Sequence, residues 1–346
     1  MGTEEDSCID KRRLSEVYPQ FHGAGEERVC DVMRQEIECE GSCVDGACVP
    51  ATCDDGVQNQ GEDDIDCGGP CDISCDLCGI DEDHLPKRFD WRHWKGRSYV
   101  TEIRDQGMCG SCWAYAAVGP VETKYNIQFT SSLVEVDLSE QNLLSACGTG
   151  DSCKGGNRLK ALRYIRDTGI VDEDCFADTS KACLVETGDN EYECVAACGG
   201  EGADTCANPQ ECPAVCGDTG RHEWGSRTWS ITDYDYVLGL INRREKVKDA
   251  LLCHGPLVAR SSDWDHVVAV IGWDNDSDIC RDAYGRSGCW IIKNSHGTIN
   301  DFEEGPDGSD VWHVDGFAYI PFEGHEYSSD MENYVRFVNT VEPPAP

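Results

Sequence analysis

The chain has 346 residues, 39% of them hydrophobic, and a formal net charge of −37 from 66 acidic against 29 basic side chains. That is enough apolar material for one large domain or two ordinary ones. The charge excludes nucleic acid as a natural partner and disfavours anionic membranes, and with no run of about 18 apolar residues no membrane span is expected.

The chain carries 24 cysteines but only nine histidines, and none of the histidines falls into the paired Cys and His spacing of a zinc module. An oxidised, secreted or otherwise extracytoplasmic protein is expected. The N-terminal stretch holds no apolar signal core, so an export signal would have been removed from this chain. A solvated, salt-tolerant surface accounts for the acidity, and binding of calcium by some of the carboxylates is the sharper alternative.

Residues 1–84 hold ten cysteines and few apolar runs, which reads as an acidic module stapled by disulfides. Within it CDDGVQNQGEDDIDCGGPCDISC, 53–75, resembles a short Cys/Asp/Gly repeat of secreted multidomain proteins. Asp54, Asp63, Asp64 and Asp66 are calcium candidates there, without the spacing of an EF-hand loop.

From LPKRFDWR at 85–92 the segments become longer and more apolar. Ser111 to Ile127 reads as a helix with Cys112 in its first turn, where the helix dipole lowers a thiol pKa. Pro120 predicts a bend near Gly119. Residues 184–226 return to Gly, Cys and acid, an insertion, before the globular pattern resumes. VKDALLCHG reads as a helix end with a glycine stop, and HVVAVIGWD and CWIIKNS read as buried strands. Residues 340–346 read as a disordered tail.

The stretch DQGMCGSCWAYAA, 105–117, poses the chemical question. Its Cys109 and Cys112 could be a redox couple, half a zinc site, two staples, or one staple beside one nucleophile. No thioredoxin-like βαβ pattern surrounds them. Setting Cys112 aside leaves an odd number of cysteines, so at least one more is unpaired, and Cys253 in DALLCHG is the candidate. Cys280 with Cys289 reads as a hairpin staple.

Four separated motifs, in order, resemble the papain-like cysteine peptidases. QGMCGSCWAYAA supplies Gln106 for the oxyanion and Cys112 as nucleophile, CKGGN at 153–157 a backbone-binding strip, DHVVAVIGW the catalytic His266, and WIIKNSHG the orienting Asn294. LPKRFDWR resembles the start of the mature enzyme, and LSEQNLLSAC the helix that follows the nucleophile helix. His266 and Asn294 stand farther from Cys112 than the ~130–150 residues usual in the family, and the insertion of about 40 residues explains the excess.

The resemblance implies an α+β, two-lobed fold over 85–339, a helical lobe and an antiparallel β-barrel-like lobe with the cleft between them. It implies substrate contacts from Gly155, Gly156, Asn157, Arg158, Asp265 and His296, and disulfides joining Cys109 to Cys153 and Cys147 to Cys183 or Cys175. The activity implied is endopeptidase cleavage of peptides or proteins through a thioester on Cys112, by a monomer that requires no cofactor.

The chain also departs from that family. The tryptophan that follows Asn-Ser and shields the Asn–His bond is replaced by His296, and the connection from GPL (255–257) to His266 is short, which predicts a wetter shield and an open S2 pocket that tolerates acidic side chains. Residues 1–84 lack the helical propeptide pattern, so they read as an accessory domain or as a prosegment cut near Lys87–Arg88. The 184–226 insertion occupies the place of the occluding loop of carboxydipeptidases, with Arg221 and His222 as the groups able to take a C-terminal carboxylate. A catalytically silent binding module is the remaining alternative.

Overall fold

A computed structural model describes residues 7–10, 13–22, 29–38, 43–44, 47–48, 62, 75–78, 80, 84–107, 109–129, 136–145, 148–177, 184–188, 191–194, 224–237, 243–261, 264–304, 310–323 and 335–344. The chain divides into two compact units, Met1–Ile80 with His93–Ser98, and Asp81–Arg92 with Tyr99–Pro346. No helix among the described residues is long and apolar enough to cross a membrane.

The first unit is built on strands β1 (Ser7–Asp10), β2 (Arg13–His22) and β3 (Val29–Glu38) in one antiparallel sheet, with β4 (Cys43–Val44) and β5 (Ala47–Cys48) paired beside it in sequence. The calcium candidates Asp54, Asp63, Asp64 and Asp66 lie outside the described residues.

The second unit opens with β6 (Arg88–Asp90) and then α1 (Cys112–Gln128). Every side chain of α1 from Trp113 to Thr123 is buried, so the helix is covered all round and carries no polar stripe. It is continuous across Pro120, so the proline, which cannot donate to the preceding turn, is accommodated without ending the helix. Next come α2 (Glu140–Leu144), α3 (Arg158–Asp167) and β7 (Ile170–Val171). Trp113, Val118 and Val121 of α1 pack in one core with Leu143, Leu162, Ile165 and Val267.

Within the expected insertion, β8 (Leu184–Gly188) pairs with β9 (Glu191–Cys194). Arg221 and His222 lie outside the described residues. Beyond it are β10 (Thr228–Ile231), β11 (Tyr234–Tyr236), α4 (Arg243–His254), β12 (Leu257–Ser261), β13 (His266–Asp274), α5 (Asp278–Tyr284) and β14 (Cys289–Lys293). The chain closes with β15 (Phe302–Glu304), β16 (Asp310–Val314), β17 (Phe317–Pro321), β18 (Arg336–Val338) and β19 (Val341–Glu342).

The large sheet runs β11-β18-β12-β13-β14-β17-β16-β15, with β6 added to β13. All of β13 but its last residue is buried, which is why its sequence is a continuous apolar run instead of an alternation. β12 pairs antiparallel with β13, with Ser261 opposite His266. On the other side Lys293 pairs with Ala269, so Asn294, the residue after β14, emerges toward the His266 end.

Three expectations change. Cys253 is held in a disulfide, so it is not the second unpaired cysteine; parity shows that a partner is missing somewhere but not where. The Cys280–Cys289 bond joins α5 to the first residue of β14 and is not a hairpin staple. The segment expected to be disordered from residue 340 instead enters a sheet, because Val341, 1% exposed, pairs with Ile231 in β10. Its N–H donates to Gln128 Oε1 at 2.8 Å; an apolar side chain with a place in the core keeps the segment ordered ahead of the prolines.

Candidate active site

The helix N-terminus and the central strand meet at Cys112. Its thiol is half-buried and is the free cysteine among the described residues. Burial is the largest influence on it and pushes its pKa up; the N–H groups of Val267 and Trp113 oppose this, Asp265 adds to the rise and Arg260 counters it. The lowered pKa expected from the helix position is thus overturned for the resting thiol, because desolvation outweighs the first-turn N–H groups. Cys109, three residues before, is bonded to Cys153, as the resemblance implied. Cys147 and Cys183 lie outside the described residues, and Cys175 is disulfide-bonded.

His266 is the first residue of β13 and its Nε2 lies 2.8 Å from Asn294 Oδ1. Both side chains are buried. An amide oxygen can only accept, so the proton sits on Nε2, and Nδ1 is the ring nitrogen able to take another. The imidazole is flanked by Trp264, at 4.5 Å between ring centroids, and His296, at 4.6 Å. Asn294 Oδ1 also accepts the Ser295 N–H at 2.8 Å. Its Nδ2 lies 2.8 Å from His313 Nε2 and 3.4 Å from His296 Nδ1.

Gln106 is tied to the same segment. Its backbone N–H donates to Ser295 O at 2.7 Å, and its Oε1 accepts the Ser295 hydroxyl at 2.6 Å. Nε2 donates one hydrogen to Cys109 O at 2.9 Å, leaving the other for a ligand oxygen.

The 153–157 strip is shaped by backbone and by Trp113. Gly155 sits at φ +110° with open space where a side chain would point, and a Cβ on Gly156 would lie 2.3 Å from Trp113 Cε2. Both glycines are exposed, and the Gly156 N–H and C=O make no hydrogen bond within the described residues. Asn157 is occupied as the cap of α3, accepting from Leu159 N at 2.8 Å, and Arg158 begins that helix. Asp265 stands in the left-handed region, φ 49°, and reaches Arg260 at 3.4 Å.

Gln106, His266, Asn294 and His296 are joined through Ser295 and the ring contacts, and the Val267 N–H next to His266 faces the Cys112 thiol. Trp264, Ser295 and His313 are additions that the sequence reading did not find. Ser295 belongs to the KNS motif and could have been read from it. Trp264 and His313 carry no local signature, since only strand register brings them to the site.

A family model described as papain family cysteine protease matches residues 85–305, more than half of the chain. Cathepsin O of Homo sapiens is 27% identical over 255 residues, covering 68% of this chain and 61% of that protein. Cathepsin L1 of Drosophila melanogaster is 45% identical over 91 residues, covering 25% and 23%. Recombinant stem bromelain precursor, a solved structure, is 21% identical with a TM-score of 0.49, covering 76% of this chain and 73% of that one. The chain thus spans less than two thirds of the length of these curated relatives. By the extent of the family match, laid over Cys112, His266 and Asn294, the chain belongs to the papain family of cysteine proteases.

Proposed function

We propose that the chain is a secreted cysteine endopeptidase that cuts peptide bonds through a thioester on Cys112. The observation that carries this reading is the 2.8 Å contact between His266 Nε2 and Asn294 Oδ1 beside a free, half-buried thiol. The thiol proton passes to His266 Nδ1 and Sγ attacks the substrate carbonyl. The C–N bond breaks as the imidazolium returns that proton to the leaving amine, and water, deprotonated by His266, then hydrolyses the thioester. The oxyanion is met by the Cys112 N–H, a first-turn donor with no intrahelical acceptor, and by Gln106 Nε2. Since burial raises the thiol pKa, proton transfer to His266 generates the thiolate. The scheme requires no metal or organic cofactor and is complete within a monomer.

The unengaged backbone of Gly156 supports pairing with an extended peptide. The short sequence between β12 and β13 supports an open S2 pocket that tolerates acidic P2 side chains. A peptide library that demands bulky apolar P2 residues would overturn that part. We read residues 1–84 as an accessory module or a prosegment; activity before and after limited proteolysis ahead of Leu85 separates the two.

The primary test is mass-mapped alkylation of the unreduced chain by limiting iodoacetamide between about pH 4 and about pH 8. Fast labelling confined to Cys112 below the ~8.5 pKa of a free thiol is the expected result. An inert Cys112 would leave a silent binding module. On a defined peptide, internal cuts support the endopeptidase, and stepwise loss of C-terminal dipeptides would instead make the insertion a gate.

A further inference from the structure

His313 lies on β16 and is 1% exposed. Its Nδ1 is 3.0 Å from Val311 O and its Nε2 is 2.8 Å from Asn294 Nδ2. A carbonyl oxygen only accepts and an amide nitrogen only donates, so both contacts are met by one species, the neutral ring protonated on Nδ1. On the other side of the amide, Asn294 Oδ1 takes N–H donors from Ser295 and His266, each at 2.8 Å. Turning the amide over would face Nδ2 toward both of those donors and Oδ1 toward the His313 lone pair.

We propose that His313 is a positioning residue of the active centre: by accepting from Asn294 Nδ2 it locks the amide with Oδ1 on His266. The proposal rests on Cys112, His266 and Asn294 acting as the peptidase triad. During turnover His266 alternates between imidazole and imidazolium while Nε2–H has to stay on the same oxygen. The Ser295 N–H biases the amide from its oxygen side alone, whereas His313 engages the nitrogen side, where His296 offers only a longer contact of 3.4 Å. The His313 ring is carried by backbone that is itself anchored, because its own N–H donates to Asp301 O at 3.0 Å. The acceptor is therefore held in place by the sheet and is not delivered by a mobile loop.

Two variants of the full chain separate positioning from packing. His313→Leu fills most of the space without an acceptor, and His313→Gln places Oε1 where Nε2 stood. In His313→Leu, kcat should fall between about 10-fold and about 100-fold with KM within about twofold, since orientation and not binding is lost. His313→Gln should retain kcat within about threefold of the parent, because the acceptor is restored. Spectra of the ¹⁵N-histidine-labelled parent chain supply an independent readout: His313 should carry its proton on Nδ1 and a lone pair on Nε2. A folded His313→Leu with parental kcat, equal losses in both variants, or a proton on His313 Nε2 each overturns the proposal. Should both variants fail to fold, the tautomer in the parent chain decides. A parent that neither cleaves peptide nor alkylates at Cys112 instead refutes the peptidase reading, and the same spectra still report whether the lock exists.

Discussion

A thiol that burial keeps protonated becomes a nucleophile only if a base beside it takes the proton, so the reactivity of Cys112 should follow His266 and not the helix end. Removing the imidazole in His266→Ala leaves a group whose pKa is raised by desolvation, with only N–H donors and Arg260 opposing it. Thiolate is then populated only as pH rises past that raised value. Alkylation of His266→Ala should therefore begin above about pH 8.5, whereas the parent reacts well below it; identical rate profiles would show that the helix alone activates the thiol. Trp264 offers a second check, since its indole, 3% exposed, covers the imidazole at 4.5 Å. Trp264→Ala should admit water to the His266–Asn294 bond and lower kcat/KM by about 10-fold, a loss of the order of one weakened buried hydrogen bond. His296→Trp should leave kcat/KM close to the parent's if the indole of Trp264 already does the shielding, and should raise it if His296 is the weak point. Cys112, His266 and Asn294 were legible as candidates because each sits in a contiguous motif. The groups that support them were not, because an indole two residues before a histidine, or a lone histidine after an insertion, has meaning only once register brings the rings together.

Between α1 and β14 a buried ion pair fixes the strand that delivers Asn294. Lys293 Nζ lies 3.7 Å from Glu122 Oε2, with side chains 9% and 5% exposed. Thr101 links them, accepting from Lys293 and donating to Glu122, each at 2.5 Å. Burial pushes the Glu122 carboxyl up, opposed first by the Lys293 ammonium and then by hydrogen bonds from Thr101 and the Leu138 N–H. Lys293→Met removes the compensating charge and should cost about 3–5 kcal/mol, while adding Glu122→Gln should recover most of that loss. Urea unfolding of the two single variants and the double variant measures it. If the double variant is as unstable as Lys293→Met, packing and not charge is what Lys293 contributes. The helix α1 and the strands β13 and β14 were legible, since long apolar runs are hard to mistake. Glu122 was not, because a lone acid in a helix normally reads as a solvated face, and only the register of β14 against β13 brings Lys293 to it. Pro120 sits inside α1, where the side chains from Trp113 to Thr123 are all buried, so packing holds the helix across a residue of poor helix propensity.

With 66 acidic against 29 basic side chains, the acids outnumber the bases by 37. Several pairs among the described residues stand at the surface, such as Lys160 with Asp151, Arg166 with Asp233 and Arg244 with Glu323. Such pairs contribute about 0–1 kcal/mol each and are themselves screened by salt. Unanswered charge repels itself in the compact state more than in the expanded one, so screening should stabilise the native chain. Raising NaCl from about 0.01 M to about 1 M shortens the Debye length from about 30 Å to about 3 Å, and the Tm should climb over that range. The melts are best made with Cys112 blocked, so that self-cleavage does not feed on the unfolded chain. A flat or falling Tm would mean that attraction within ion pairs outweighs the net repulsion. Calcium gives the same experiment a second arm. At constant ionic strength, a further rise with CaCl₂ that a chelator reverses would assign part of the acidity to bound cations, with Asp54, Asp63, Asp64 and Asp66 as the residues to change first. A response to CaCl₂ no larger than its ionic strength accounts for would leave screening alone, and the carboxylates would then be a solvated surface that depends on the salt around it.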